Sequence, residues 1–234
     1  MSSRVGVVVF PGSNCEQDVV HALRLLGSTP ELVWHGASGL DGLDAVVLPG
    51  GFAYGDYLRT GAIAAFSPIM DAVGEFARAG RPVIGICNGF QILCEAGLLP
   101  GVLRRNIGLK FLCKPVHIRV ETANSPFTHT AAKGDVLRIP INHFEGNYFA
   151  SEDVLDGIEA EDGVAFRYSD LSGRVDPSTN PNGAARSIAG VLSKNRNVLG
   201  MMPHPERATD PEVGGTDGRA ILGSMLSALE AASL

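Results

Sequence analysis

The chain has 234 residues, 45% hydrophobic and 19% charged, with a formal net charge of −6 at pH 7. That length fits one α/β domain with a sizeable core, and the composition is globular rather than disordered. Lys and Arg are scattered, which excludes the basic face that nucleic acid requires but not one or two arginines on a small phosphorylated substrate.

The opening MSSRVGVVVFPG holds an apolar run that meets Pro11 and Gly12 almost at once, so residues 5–10 read as a strand and not as a secretory signal. No apolar stretch is long enough to span a bilayer. Ser13 is placed to cap a helix over 16–26, with Glu16 three residues on completing a capping box. Residues 32–35 and 45–48 are the next strands. After a glycine-rich loop, 63–79 carries a helical pattern, 82–86 is another apolar strand, and a helix over 89–96 is stopped by Gly97. Wholly apolar strands separated by helices indicate a parallel sheet covered on both faces.

The second half differs. Val116, Ile118 and Val120 alternate with polar residues, as in a half-exposed antiparallel strand. Residues 136–141, 164–168, 187–192 and 198–202 follow as strand candidates, and the Gly, Pro, Asn and Ser content of 169–184 marks a long surface loop. A helix over 219–232 closes the chain. The fold expected over residues 1–234 is a single α/β domain, an open, mostly parallel sheet with helices on both faces and extra antiparallel strands in the second half.

The four cysteines match no metal motif and are too sparse for a disulfide scaffold, which points to a reducing cytoplasm. Cys87 stands out. In RPVIGICNGFQIL a buried strand ends at Ile86, a helix begins at once, and Gly85 and Gly89 flank the cysteine, which is the nucleophile-elbow pattern with sulfur in place of a hydroxyl. The glycines let strand and helix backbones approach, the strained turn projects the sulfur outward, and the helix N-terminus favours negative charge on it. The Asn88 N–H is then free to receive an oxyanion. Cys94, seven residues on, reads as core, and Cys113, among apolar residues, as structural. Cys15, near a helix start in PGSNCEQD, has no evident base.

A cysteine nucleophile needs a histidine to carry protons, and that histidine needs an orienting partner. His204 in NVLGMMPHPERA lies just beyond an apolar strand, where such sheets place their sites, and Glu206 is close enough to fix its tautomer. His21, His35, His117 and His129 lack such support, and His143 in IPINHFEGNYF could line the acceptor side. In VVLPGGFAYGDYLRTGAIA the Gly50–Gly51 pair suits a second oxyanion donor, and losing one such donor costs roughly 2.7–4 kcal/mol. Neither a G-x-x-x-x-G-K-[ST] nor a G-x-G-x-x-G after a strand occurs, so no ATP or dinucleotide loop is visible.

Taken in order, PGSNCEQD, LPGGFAYGDYLRTGAIA, GICNGFQIL and MMPHPERA closely resemble the class I glutamine amidotransferases, over residues 5–229. CNGFQ with GGFAYGDYLR is similar to the branch of glutaminase subunits that serves purine biosynthesis. The resemblance implies a flavodoxin-like fold, a Cys87–His204–Glu206 triad, an oxyanion hole from the Gly51 and Asn88 N–H groups, and a glutamine pocket lined by Gln91 and Phe52, with no metal. It departs at NHFEGNY, where Phe144 replaces the glycine of many relatives, so no role passes to His143. It also implies that the chain itself holds no cofactor. A large synthetase subunit uses ATP and Mg to turn formylglycinamide ribonucleotide into the amidine, taking ammonia from this chain. The implied partners are glutamine, that subunit and a candidate small bridging subunit. Two alternatives from the residues alone are a stand-alone cysteine amidohydrolase of the flavodoxin-like group and a non-catalytic module with an oxidisable Cys87, to which the PHPE segment adds nothing useful.

Overall fold

In the computed structural model, which describes residues 2–232, the chain runs β1 (Arg4–Val9), α1 (Glu16–Leu25), β2 (Thr29–Trp34), β3 (Ala45–Leu48), α2 (Pro68–Arg78), β4 (Val83–Ile86), α3 (Asn88–Glu95), β5 (Val102–Arg104), β6 (Leu112–Val120), β7 (Val136–His143), β8 (Asn147–Phe149), α4 (Glu152–Ala160), β9 (Val164–Ser169), β10 (Ile188–Leu192), β11 (Val198–Met201) and α5 (Arg219–Ala232). Nine of these strands form one sheet, in the order β2-β1-β3-β4-β11-β10-β9-β6-β7. From β2 to β11 every neighbouring pair is parallel, and from β11 to β7 every pair is antiparallel. The α/β fold, its parallel half and its antiparallel extension are as the sequence indicates.

Every residue of β3, β4 and β11 is buried, which a strand achieves only when both sheet faces are covered. The outermost parallel strand, β2, bonds on one side only. It therefore accommodates Pro30 and leaves Leu32 and Trp34 exposed. The alternation read at Val116, Ile118 and Val120 is real, each being buried in β6 with half-exposed residues between.

Three local expectations change. Ser13 does not cap α1: its Oγ accepts from the Phe10 N–H at 3.0 Å, and Cys15 occupies the N-cap position without a capping hydrogen bond. The helical pattern at 63–79 is broken, because Pro68 forces Ser67 into an extended conformation (ψ 143°) and then begins α2 itself. Cys113 is exposed on β6 rather than structural. Helix α4 and the short β5–β8 ladder were not visible in the sequence, since three-residue strands carry no period and α4 buries only Leu155 and Ile158.

Candidate active site

Strands β1, β3, β4 and β11 are consecutive neighbours in the sheet, and the loops at their carboxyl ends carry Cys15, Gly50–Gly51, Cys87 and His204. Segments far apart in sequence therefore meet at one edge. Cys87 follows β4 directly, at φ 51° and ψ −105°, a conformation costing a non-glycine residue about 1–3 kcal/mol. Its backbone N–H is tied to the Met201 carbonyl at 2.8 Å, and its thiol donates to the Asn142 carbonyl at 3.6 Å. Cys87 is thus held between β11 and the end of β7.

His204 and Glu206 are almost fully buried, with Glu206 Oε1 accepting from His204 Nδ1 at 2.6 Å. That bond leaves Nε2 as the free nitrogen, which faces the Cys87 and Cys15 thiols and makes no hydrogen bond of good geometry among the described residues. The His204 N–H is anchored on the Pro140 carbonyl at 2.8 Å, and the Thr209 hydroxyl donates to the Glu206 carbonyl at 3.1 Å. Burial works against the imidazolium. Glu206, with the adjacent Cys87 and Cys15 thiols, outweighs that burial and raises the imidazole pKa well above its ordinary value.

Sequence reasoning missed the place of Cys15. It is buried against the same imidazole, and the Arg207 guanidinium donates to its sulfur at 3.1 Å while also pairing with Asp18 at 3.0 Å. Cys15, His204 and Glu206 bring donor atoms within 4.8 Å of one another. Arg207 on the sulfur and the His204–Glu206 hydrogen bond already engage those donors, which does not suit a metal cation.

The Gly51 and Asn88 N–H groups take part in no hydrogen bond among the described residues. Gly51 sits at φ 154°, where a Cβ would come within 2.7 Å of the Ser13 Cα, so only glycine fits this loop. The Asn88 side chain braces the same walls. Its Oδ1 accepts from the Ala53 N–H at 3.0 Å, its Nδ2 donates to Gln91 Oε1 at 2.9 Å, and Gln91 Nε2 donates to the Glu145 carbonyl at 2.6 Å. Gly51, Phe52, Cys87 and Gln91 line one cavity of about 260 Å³, whereas His204 and Glu206 lie outside that lining and Asn88 supports it. The remaining wall includes Asp56, Arg105, His143 and Glu145. Of these, only His143 had a signal in the sequence, a histidine following an apolar strand.

His143 is locked as a neutral imidazole. Asn106 Nδ2 donates to the Lys110 and His143 carbonyls, so Oδ1 is the acceptor, taking the Gly146 N–H at 3.0 Å and His143 Nδ1 at 3.1 Å. Burial, and then the charge of His204, push the His143 pKa down to about 3 from 6.5. A depressed folded-state value gives stability that is present above the unfolded pKa and lost as pH falls toward the folded one, at about 1.4 kcal/mol per pH unit for one site. Between pH 6.5 and about pH 5 the parent is expected to lose roughly 2 kcal/mol that His143→Gln does not lose. Urea midpoints at the two pH values check this, and equal losses would place the acid sensitivity elsewhere.

The parallel α/β sheet, with a thiol on a nucleophile elbow and a buried His–Glu pair beside it, has the fold of a class I glutamine amidotransferase. Residues 2–214 match the CobB/CobQ-like glutamine amidotransferase domain. The phosphoribosylformylglycinamidine synthase subunit PurQ of Koribacter versatilis is 54% identical over 97% of this chain and 98% of its own length. That of Rhodospirillum rubrum is 55% identical over 95% and 98%. A chain in the structure of PurLQS from Thermotoga maritima superimposes with a TM-score of 0.88 at 44% identity, covering 98% of this chain and 100% of that one. This chain belongs to the PurQ family, the glutaminase subunits of phosphoribosylformylglycinamidine synthase.

Proposed function

We propose that Cys87, His204 and Glu206 hydrolyse glutamine here and that the ammonia released is passed to a synthetase subunit. The observation that carries this reading is the buried His204–Glu206 pair beside the elbow thiol, with Nε2 left free. The Cys87 sulfur, its proton taken by His204, attacks the side-chain carbonyl of glutamine. The Gly51 and Asn88 N–H groups receive the oxyanion. The imidazolium returns the proton to the departing nitrogen, which leaves as ammonia with a γ-glutamyl thioester behind. A water that loses its proton to Nε2 cleaves the thioester, giving glutamate and restoring the thiol.

Glutaminase turnover without an acceptor would waste glutamine, and nothing in the sequence resembles an ATP loop. ATP and Mg therefore act on the synthetase subunit, which turns formylglycinamide ribonucleotide into the amidine. Exposed Phe52, Tyr57 and Leu58 on the glycine-rich loop beside the cavity support a rim that a partner covers. No helix among the described residues is long and apolar enough to cross a membrane.

Because Cys15 touches the same imidazole, the test must separate two thiols. A chloroketone analogue of glutamine is expected to label Cys87 and spare Cys15, Cys94 and Cys113, as read by peptide mass spectrometry. Labelling of Cys15 would overturn the assignment. Glutaminase turnover of the isolated chain is expected to rise at least tenfold when the synthetase is added. Equal rates would instead favour the stand-alone hydrolase.

A further inference from the structure

The triad and the oxyanion donors account for the carboxamide of glutamine and leave its other end unread. That end carries an α-ammonium and an α-carboxylate, and it is what separates glutamine from simpler carboxamides. A pocket selective for glutamine needs acceptors for the ammonium, and a fixed carboxylate is the strongest of them.

Asp56 lines the cavity that Cys87 opens into. Its Oδ1 is shielded from solvent and has no hydrogen-bond partner among the described residues. A carboxylate oxygen desolvated without a partner is costly, so it calls for a donor from outside the chain. The nearby cations are already engaged. Arg59 holds Glu95 through two hydrogen bonds, of 2.7 and 2.5 Å, and Arg105 faces Glu145 at 3.5 Å. The backbone is built to present this residue: Tyr54, Gly55 and Asp56 are successive left-handed residues, at φ 53°, 68° and 56°. Aspartate is among the few residues with a side chain that tolerate this region. Burial, and then the charge of Glu145, push the Asp56 carboxyl up to about 6, as happens when a carboxylate lacks its counterion.

We propose that Asp56 receives the α-ammonium group of glutamine through its unpartnered Oδ1, and so selects an α-amino acid over a plain carboxamide. The assignment rests on the glutaminase reading of Cys87. It makes Asp56 a specificity residue, in contact with substrate but remote from bond making.

The test compares two substrates on the chain assembled with its synthetase: glutamine and 4-carbamoylbutanoate, which is glutamine without the amino group. The parent is expected to prefer glutamine. Asp56→Asn is expected to lower kcat/KM for glutamine by roughly 10- to 100-fold, mostly through KM, and to change the des-amino substrate by less than about 3-fold. The preference then collapses. Asp56→Gly, which accommodates the left-handed backbone, should behave the same way and serves if the Asn variant does not fold. Equal losses on both substrates, which a merely structural role would give, or an unchanged glutamine KM, would overturn the proposal. A parent assembly releasing ammonia from neither substrate would bring down the glutaminase reading itself.

Discussion

Cys87→Ala is expected to lower glutamine-dependent amidine synthesis by on the order of 10⁴-fold or more, while ammonia-dependent synthesis by the same complex stays within about twofold of the parent. The size follows from what the substitution removes. Without the sulfur there is no thioester, and His204 has no nucleophile to activate, so the residues that act as one unit fail together. The selectivity follows from where the residue sits. Cys87 lies at the end of β4 against the Asn142 carbonyl, within the cavity proposed to receive glutamine. Ammonia supplied from solution bypasses that cavity. The paired assay guards against collapse of the complex, which would lower both rates. Substantial glutamine-dependent synthesis by Cys87→Ala would mean that Cys15, the other thiol beside His204, can act in its place.

The parts of this site visible in the sequence are those whose chemistry is local. The elbow announces itself because Gly85, Cys87 and Gly89 must fall within five residues, and Glu206 reaches His204 from two residues away. The parallel half of the sheet was equally open, since β3, β4 and β11 are buried on both faces and read as unbroken apolar runs. What stayed hidden depends on strand order. Cys15 meets His204 only because β1, β3, β4 and β11 are neighbours, and no spacing along the chain reveals that adjacency. Asp56 and Glu145 face a common cavity for the same reason, one from the glycine-rich loop and one from the turn after β7. Ser13 misled because a serine three residues before a glutamate fits a capping box. The loop turns earlier, at Phe10, and takes that hydroxyl for itself.

Gly89→Ala is expected to destabilise the chain by about 3 kcal/mol or more and to abolish glutaminase activity, although residue 89 touches no substrate. A Cβ there would lie 1.9 Å from the Leu48 carbonyl oxygen and 2.6 Å from its carbon, both backbone atoms that cannot swing aside. Leu48 is the last residue of β3 and pairs with Gly85 on β4. Helix α3 therefore rests on the very strand end from which the Gly50–Gly51 loop departs. Room for the methyl group comes only by lifting α3 off β3, which separates the Asn88 N–H from the Gly51 N–H and breaks the Asn88–Ala53 brace. Stability and the spacing of the two free N–H groups fall together. The control is Gly157→Ala in α4, where an added Cβ meets nothing within 4 Å. In the interior of an exposed helix the same change should stabilise by about 0.5–1 kcal/mol, with activity unchanged. Thermal midpoints and glutaminase rates of the two variants decide the matter. If Gly89→Ala keeps the parent's midpoint, the close approach of α3 to β3 is not what fixes the elbow.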